Sequence, residues 1–293
     1  MHRPLIVGVD GSEPSLAALD WAADEAAARG APLLVVHASR WDEYAALEPA
    51  FGLGRPSVQV YADDIAATAV ERAARRRPGV RVTSTVVGED PAFALVRLAE
   101  DADAVVVGSR GHGELAELLL GSVSLTVAAR ATSPVIVVRG GREHAAAEQE
   151  AVRTVAVGVD VPEDAAPAVE FAFRESLLRG APVVVVHAWR CPAHEVPDHP
   201  RTHPDDHRLR AERQVEEALK GAVRAHPEFA DVTVRREVVE GPARSALLDA
   251  SRTAGLLVVG ARRRKGHLGM QLGPVDHGVL HHAACPVAVV PHD

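Results

Sequence analysis

The sequence is an internal duplication. Segments near the N-terminus reappear 150 residues later, and segments nearer the middle reappear 152 residues later. A nearly constant offset over several landmarks indicates duplication, and a repeat this long is a whole domain rather than a solenoid unit. We therefore expect domain one over residues 1–140, a polar linker over 141–152 and domain two over 153–293. The matched segments are Val7–Asp10 with Val157–Asp160, Arg29–Pro32 with Arg179–Pro182, Val35–Ala38 with Val185–Ala188, Val106–Gly108 with Val258–Gly260, and Pro134–Val135 with Pro286–Val287.

Within each copy, short runs of β-branched residues alternate with stretches of helical periodicity. The strand-like runs show little polar alternation, which is typical of a parallel sheet covered on both faces. Right-handed connections then predict two tandem doubly wound α/β domains, each a five-stranded parallel sheet with helices on both faces. In copy one, we expect strands at Pro4–Val9, Pro32–His37, Val80–Val87, Ala104–Gly108 and Pro134–Val138. The expected helices run from Ser12 or Glu13 to Arg29, and over Ser57–Arg77, Pro91–Asp101 and Ser122–Ala131.

The composition is that of a globular protein with an acidic balance. Hydrophobic residues make up 47% of the 293 residues, and 32 Lys and Arg against 40 Asp and Glu give a net charge of −8. A negative field disfavours nucleic acid and membrane surfaces as partners, and no apolar run reaches the roughly 18 residues that a membrane span needs. The two cysteines, Cys191 and Cys285, lie far apart and without secretory features, so we expect reduced thiols in a cytoplasmic protein.

Glycine-rich segments follow the first and fourth strands of copy one. In open α/β sheets, ligands bind beyond the carboxyl ends of the strands, where the strand order reverses. Gly108 and Gly111 would let the backbone approach a ligand closely and adopt positive φ. Gly121–Ser122 opens a helix whose N–H groups suit a phosphate, with Arg110 adding charge. The alternatives are a loop without a ligand and, for Asp10, a turn-forming or helix-capping aspartate.

The spacing Gly108-x2-Gly111-x9-Gly121-Ser122, together with Val7–Ser12, resembles that of the ATP-binding universal stress proteins. The closing segment Thr132–Val138 is similar to the last strand of that family, and the resemblance covers both copies, as in tandem members of the actinobacterial type. It implies ATP, with or without Mg²⁺, between the first and fourth strand ends. Asp10 would bond the ribose hydroxyls, and backbone near Val9 and His37–Ala38 would surround the adenine. The implied nucleotide-binding residues are Gly8, Val9, Asp10, Ala38, Gly108, Ser109, Arg110, Gly111, Gly113, Gly121, Ser122 and Val123.

Copy two departs from this pattern. Gly158, Asp160, Gly260 and Gly273 remain as candidate nucleotide residues, but Arg263 replaces Gly111 and Pro274 replaces Ser122. Proline removes both a donor N–H and the hydroxyl at the helix start. The basic run 262–265 is interpreted either as a substitute phosphate contact or as a solvated loop. We therefore predict one tight nucleotide per chain.

Histidine and cysteine residues provide weaker candidates. A Pro-rich stretch of copy two carries enough of them for two or three zinc ligands, but nothing in the pattern holds them rigidly, so no metal site is predicted. His37 and His187 recur at equivalent strand ends, which favours a structural or pocket-wall role over catalysis. The residues of the Pro-rich stretch are Cys191, His194, His199, His203 and His207.

Catalytic motifs are lacking in the sequence. The only lysines, Lys220 and Lys265, lie outside copy one, so it has no Walker A lysine, and no catalytic residue is predicted. The predicted function is that of an ATP-binding stress-response or growth regulator with weak ATPase activity at most, acting as a homodimer with an unidentified protein partner. The alternatives are a slow nucleotide hydrolase or nucleotidyl-transfer enzyme, in which His112 or Glu114 would activate water, and a nucleotide-free scaffold or interaction protein.

Overall fold

The computed structural model describes residues 3–39, 57–110, 120–139, 154–190, 204–262 and 272–292, and these form two compact units. The first unit spans 3–139 and the second 154–292. In the first unit the strands are β1 (Leu5–Gly8), β2 (Leu33–Ala38), β3 (Val82–Val87), β4 (Ala104–Gly108) and β5 (Val135–Val138), and the helices are α1 (Glu13–Arg29), α2 (Ser57–Arg76), α3 (Pro91–Leu98) and α4 (Ser122–Arg130).

The second unit repeats this order of elements. Its strands are β6 (Thr154–Gly158), β7 (Val183–Trp189), β8 (Val234–Glu240), β9 (Ala254–Arg262) and β10 (Val287–His292). Its helices are α5 (Pro162–Arg179), α6 (Pro204–Ala225), α7 (Ala243–Ser251) and α8 (Pro274–His282).

Both sheets are parallel and have the same strand order. The order is β3-β2-β1-β4-β5 in the first unit and β8-β7-β6-β9-β10 in the second. In the first unit α1 packs on α2, and α3 packs on α4. The chain moves outwards from β1 to β3 and then crosses back to β4, so right-handed connections place these two helix pairs on opposite faces of the sheet. The predicted tandem doubly wound α/β fold is confirmed.

Local sequence signals explain where α1 begins and ends. The Ser12 hydroxyl caps the helix by accepting the Ser15 N–H, and a proline lies in the first turn. Gly30 ends it in the left-handed region, with φ +62°, and the N–H groups of Gly30 and Ala31 donate to carbonyls of the last turn. The same cap recurs at Gly180 after α5, where φ is +61°. The two helices therefore end at the same position in each copy.

Small aliphatic residues build the core of each unit. Leu5, Ile6 and Val7 of β1 are at most 1% exposed, and every residue of β4 is buried. Strands buried on both faces give the continuous apolar runs that the sequence shows. Helix α3 ends at Leu98 and continues as a 3-10 turn over Ala99–Asp101, which divides the single helix expected over Pro91–Asp101. Within the described ranges, no helix is long and apolar enough to cross a membrane.

Candidate functional site

A cavity of about 590 Å³ opens at the carboxyl edge of the first sheet. It lies where the strand order reverses, between the ends of β1 and β4, which is the usual ligand position in this architecture. Its volume is in the range of sites for small molecules and cofactors. The lining residues that the sequence predicted are Gly8, Val9, Asp10, Ala38, Gly108, Arg110, Gly121, Ser122 and Val123. Those that it did not predict are Ser15, Val36, Pro91, Leu95, Val107, Leu120 and Ser124.

Asp10 is held in a tight turn at the end of β1. Its Oδ1 accepts the Ser12 N–H at 2.9 Å and also the Ser12 hydroxyl, while Gly11 has φ +86°, a conformation that favours glycine. The turn-forming role weighed for this aspartate is therefore present. Because Asp10 also lines the cavity, the turn fixes a carboxylate in the cavity wall.

His37 ties the second strand to the turn after the first. Its Nδ1 donates to the Val9 carbonyl at 2.9 Å, and its ring is buried. His187 makes the same contact to Val159 at 2.7 Å in copy two. A carbonyl only accepts, so both rings carry their proton on Nδ1. Both histidines thus link neighbouring strand ends, and His37 is not among the residues that line the copy-one cavity.

Gly108 is required for a different reason from the one expected. A Cβ on this residue would lie 2.6 Å from the Pro14 carbonyl oxygen and 3.0 Å from the Ser15 nitrogen, both of them backbone atoms of α1. Its φ is not positive, since the described glycines with positive φ are Gly11, Gly30, Gly180 and Gly241. The expectation that Gly108 adopts positive φ is wrong. The absent side chain instead lets the start of α1 pack directly on the end of β4.

Helix α4 begins at the cavity wall. The Gly121 N–H donates to the Ser109 carbonyl at 2.8 Å, and the buried Ser124 hydroxyl donates to the Gly108 carbonyl at 2.6 Å. No described side chain caps this helix, and the exposed Ser122 and half-buried Val123 line the cavity beside its first turn. Ser109 is buried and does not line the cavity, so its backbone positions the helix start. A helix start that lies at a cavity and has no side-chain cap suits an anion.

Two arginines bring positive charge to the same end. Arg110 follows β4 and lines the cavity, and Arg139 follows the neighbouring strand β5. Burial lowers the pKa of the Arg139 guanidinium, and the positive charge of Arg110 lowers it further. Two guanidinium groups therefore lie close enough to interact near this end of the cavity, in a protein of net charge −8. Sequence reasoning missed Arg139, because nothing in a strand-ending arginine shows that it lies near Arg110.

Several predicted positions lie outside the described residues. They include two of the implied nucleotide-binding glycines, the two candidate water-activating residues, four residues of the possible zinc cluster and the whole predicted linker. The residues are Gly111, Gly113, His112, Glu114, Cys191, His194, His199, His203 and 141–152. In the part of the chain that the structure does describe, no group of three or more metal-ligating side chains occurs.

Copy two is built differently after its fourth strand. β9 continues to Arg262, which pairs with His292 of β10, whereas β4 ends at the position equivalent to Gly260. The nearest atoms to a Cβ on Gly260 would be those of the His292 side chain, at 3.4 Å. The strand therefore continues through the position where copy one turns towards its cavity.

The first turn of copy two also differs from that of copy one. Asp160 is exposed, and α5 starts after Val161 without a side-chain cap. Gly158 lies against the Leu247 side chain, as Gly8 lies against Leu95. Copy two thus keeps the packing glycine but lacks the Asp–Gly–Ser turn that orients Asp10.

The start of α8 contains a carboxylate that sequence reasoning did not single out. Asp276 Oδ2 accepts the Gly273 N–H at 3.2 Å, and Pro274 occupies the first helical position without an N–H. Burial raises the pKa of the Asp276 carboxyl to about 6, although the bond from the Gly273 N–H opposes this rise. At the equivalent place in copy one, Gly121 donates to a loop carbonyl, and Ser124 occupies the position of Asp276.

Comparison with known proteins agrees with this organisation. The family model described as "Universal stress protein family" matches residues 1–139 and again 151–291. The chain is 38% identical to a universal stress protein of Mycobacterium tuberculosis over 97% of this chain and 96% of that protein. It is 32% identical to one from Mycolicibacterium smegmatis over 98% of this chain and 96% of that protein.

A solved structure supports the fold independently of close sequence similarity. A universal stress protein from Archaeoglobus fulgidus superposes with a TM-score of 0.71 at 19% identity, covering 99% of this chain and 98% of that chain. The duplication, the parallel sheets and the two matches to one family model lead to the same assignment. The chain belongs to the universal stress protein family and contains two tandem domains of it.

Proposed function

We propose that copy one binds ATP and that the chain acts as a nucleotide-dependent regulator of stress response or growth. The observation that carries this proposal is the order in which apolar, carboxylate and helix-start environments follow one another across the cavity. Apolar residues lie on the β2 and α3 side, Asp10 lies at the end of β1, and an uncapped helix start with Arg110 lies beyond β4. A base, a ribose and phosphates require those three environments in that order.

Each part of the nucleotide has named candidates on this chain. Val36, Ala38 and Leu95 supply the apolar contact for the adenine, and the Asp10 carboxylate is suited to accept hydrogen bonds from the ribose hydroxyls. The first-turn N–H groups of α4, with the Ser122 hydroxyl, are suited to donate to phosphate oxygens. Arg110 adds a charge that attracts the polyphosphate, and Arg139 reinforces it from the next strand.

Gly121 is the best place to test the phosphate contact. Its φ of −64° and ψ of 147° suit any residue, and a Cβ there would meet its nearest neighbours at 3.5 Å, an ordinary contact distance. Asp and Asn are both favoured N-cap residues, so either substitution should preserve the helix. Gly121→Asp places a negative charge at the phosphate position, whereas Gly121→Asn is a neutral side chain of nearly the same shape. Gly108 does not offer this test, because any side chain there collides with the backbone of α1.

Titration of the full chain with ATP, with and without Mg²⁺, measures the proposal. We expect one ATP per chain, an affinity at least tenfold weaker in Gly121→Asp than in Gly121→Asn, and a large loss in Asp10→Ala. Asp160→Ala is the matched control in copy two and should leave the affinity unchanged. Equal ATP affinities in Gly121→Asp and Gly121→Asn would contradict the proposed phosphate position.

The same preparation separates the alternative functions. Bound ATP that stays intact over hours supports a regulator, steady release of phosphate or transfer of a nucleotidyl group supports an enzyme, and failure of ATP to bind supports a scaffold. The described cavity wall offers no lysine, and its one carboxylate, Asp10, is engaged in the turn. We therefore expect retention of ATP. The homodimer, the protein partner and the cytoplasmic location stay predictions.

A further inference from the structure

The helix start of copy two already faces a negative charge of its own. In parallel α/β folds, an N-terminal helix end attracts anions through unpaired N–H groups and the positive end of the helix dipole. Asp276 lies in the first turn of α8, and its carboxylate accepts the N–H of the N-cap residue Gly273. A carboxylate in this position makes the kind of contact that a phosphate oxygen would make.

Three features of copy two disfavour an external anion at the start of α8. Pro274 removes one N–H from the helix start, so fewer donors are left for an external anion. The strand β9 runs on to Arg262 instead of turning at Gly260. The Asp276 side chain turns to Gly273, whereas Ser124 in copy one turns to the Gly108 carbonyl and leaves the helix start without a side-chain cap.

We propose that Asp276 takes the place of the nucleotide phosphate in copy two, which makes this copy independent of ligand and confines nucleotide binding to copy one. The inference rests on the proposed function of copy one and specifies what separates the two copies. A second anion at the start of α8 would meet the Asp276 carboxylate at close range in a partly buried site, where like charges repel far more strongly than in water. Asp276 is thus a specificity-determining residue that excludes phosphate.

Moving the carboxylate into copy one tests this directly. Ser124→Asp reproduces the copy-two arrangement in the ATP-binding copy. Ser124→Ala removes the hydrogen bond to Gly108 without adding charge, and Ser124→Asn adds the bulk without the charge. We expect Ser124→Asp to bind ATP at least tenfold more weakly than Ser124→Asn in the full chain, because only the charge differs between these two variants, whereas Ser124→Ala measures the cost of losing the hydrogen bond to Gly108. Comparable affinities in all three variants would overturn the inference.

The reverse change tests copy two without relying on copy one. Asp276→Ser removes the carboxylate, and inorganic pyrophosphate serves as the probe, with the amide NMR signals of Gly273 and Val275 as a local readout. We expect these signals to shift with pyrophosphate in Asp276→Ser and to stay fixed in the parent chain. Equal shifts in both proteins, or shifts in neither, would contradict the exclusion role of Asp276.

The two experiments also separate the inference from the proposed function. If the parent chain binds no ATP, the proposed function of copy one fails, but the pyrophosphate comparison at Gly273 still supports or overturns the role of Asp276. If the parent chain binds two ATP per chain with similar affinities, copy one retains its proposed function and the inference about Asp276 is wrong.

Discussion

The half-buried side chain of Asp276 gives a quantitative prediction for the stability of copy two. Burial raises its pKa from the ordinary value of 3.8 to about 6, and the Gly273 N–H only partly opposes this. Between pH 3.8 and about pH 6, Asp276 is therefore protonated in the native state and ionised in the unfolded chain. The contribution of this group to stability is fully present below pH 3.8 and is lost as the pH rises through about 6.

Asp276→Asn removes the charge while keeping an oxygen for the Gly273 N–H. The difference between 3.8 and about 6 corresponds to about 3 kcal/mol at pH 7 and above. At pH 5 the same linkage gives about half of that free energy, because the native carboxyl is then mostly protonated. We therefore expect the variant to be more stable than the parent at pH 7, with an advantage that shrinks by about half on going to pH 5.

Urea unfolding of the full chain at pH 5, 6, 7 and 8 measures this difference. Fluorescence of Trp189 reports on copy two when Trp21 and Trp41 are replaced by phenylalanine in both proteins. Asp249→Asn is the matched control, because the Asp249 side chain lies in the same unit and is 74% exposed. It should change the free energy of unfolding by less than about 0.5 kcal/mol at every pH.

Two results would refute the reasoning. If Asp276→Asn were less stable than the parent at pH 7, the carboxylate would be a net stabilising helix cap and not a charge held at a cost. If the difference between the two proteins did not change from pH 5 to pH 7, Asp276 would not titrate in this range in the folded chain.

Two further predictions concern packing and thiol chemistry. Gly108→Ala should destabilise copy one by about 2 kcal/mol, because its Cβ meets the backbone at Pro14. Gly260→Ala meets only side-chain atoms, those of His292 at 3.4 Å and of Ala168 at 3.7 Å, so it should change stability by less than about 1 kcal/mol in a urea titration. Equal effects of the two substitutions would argue against the backbone collision. Burial raises the pKa of the Cys285 thiol to about 12. In a Cys191→Ala chain, we therefore expect this thiol to react with a disulfide reagent at pH 8 only when the chain unfolds. Rapid labelling of the native chain would contradict this expectation.

Much of the fold could be predicted because its signals are local. The strand β4 begins and ends where the apolar run Ala104–Gly108 predicts, and α1 ends at the arginine before the glycine that caps it. Most other elements differ from prediction by one or two residues at an end, as with β5, which begins after Pro134. Side-chain periodicity and the conformational limits of Gly and Pro act within a few residues, so they can be read without knowing the tertiary contacts.

The location of the candidate site was also predictable, but part of its lining was not. Duplication and strand order place a ligand beyond β1 and β4, and nine of the predicted residues line the cavity there. The apolar wall was missed, because Val36 and Leu95 have the same pattern as any buried residue of a strand or helix. The contribution of Arg139 depends on its nearness to Arg110, which arises only when β5 pairs with β4.

By itself, the sequence determined the duplication, the α/β class, the element order and the edge of the sheet where a ligand is expected. Only the tertiary structure decided why Gly108 must lack a side chain and which charge faces each helix start. The first depends on contact between atoms far apart in the chain, and the second depends on the direction of a single side chain. The backbone of α1 approaches Gly108 only after the sheet has formed, and Asp276 turns towards Gly273 at a helix start where copy one has Ser124 directed to Gly108. Residue patterns encode periodicity, whereas close approach and burial are properties of the assembled fold.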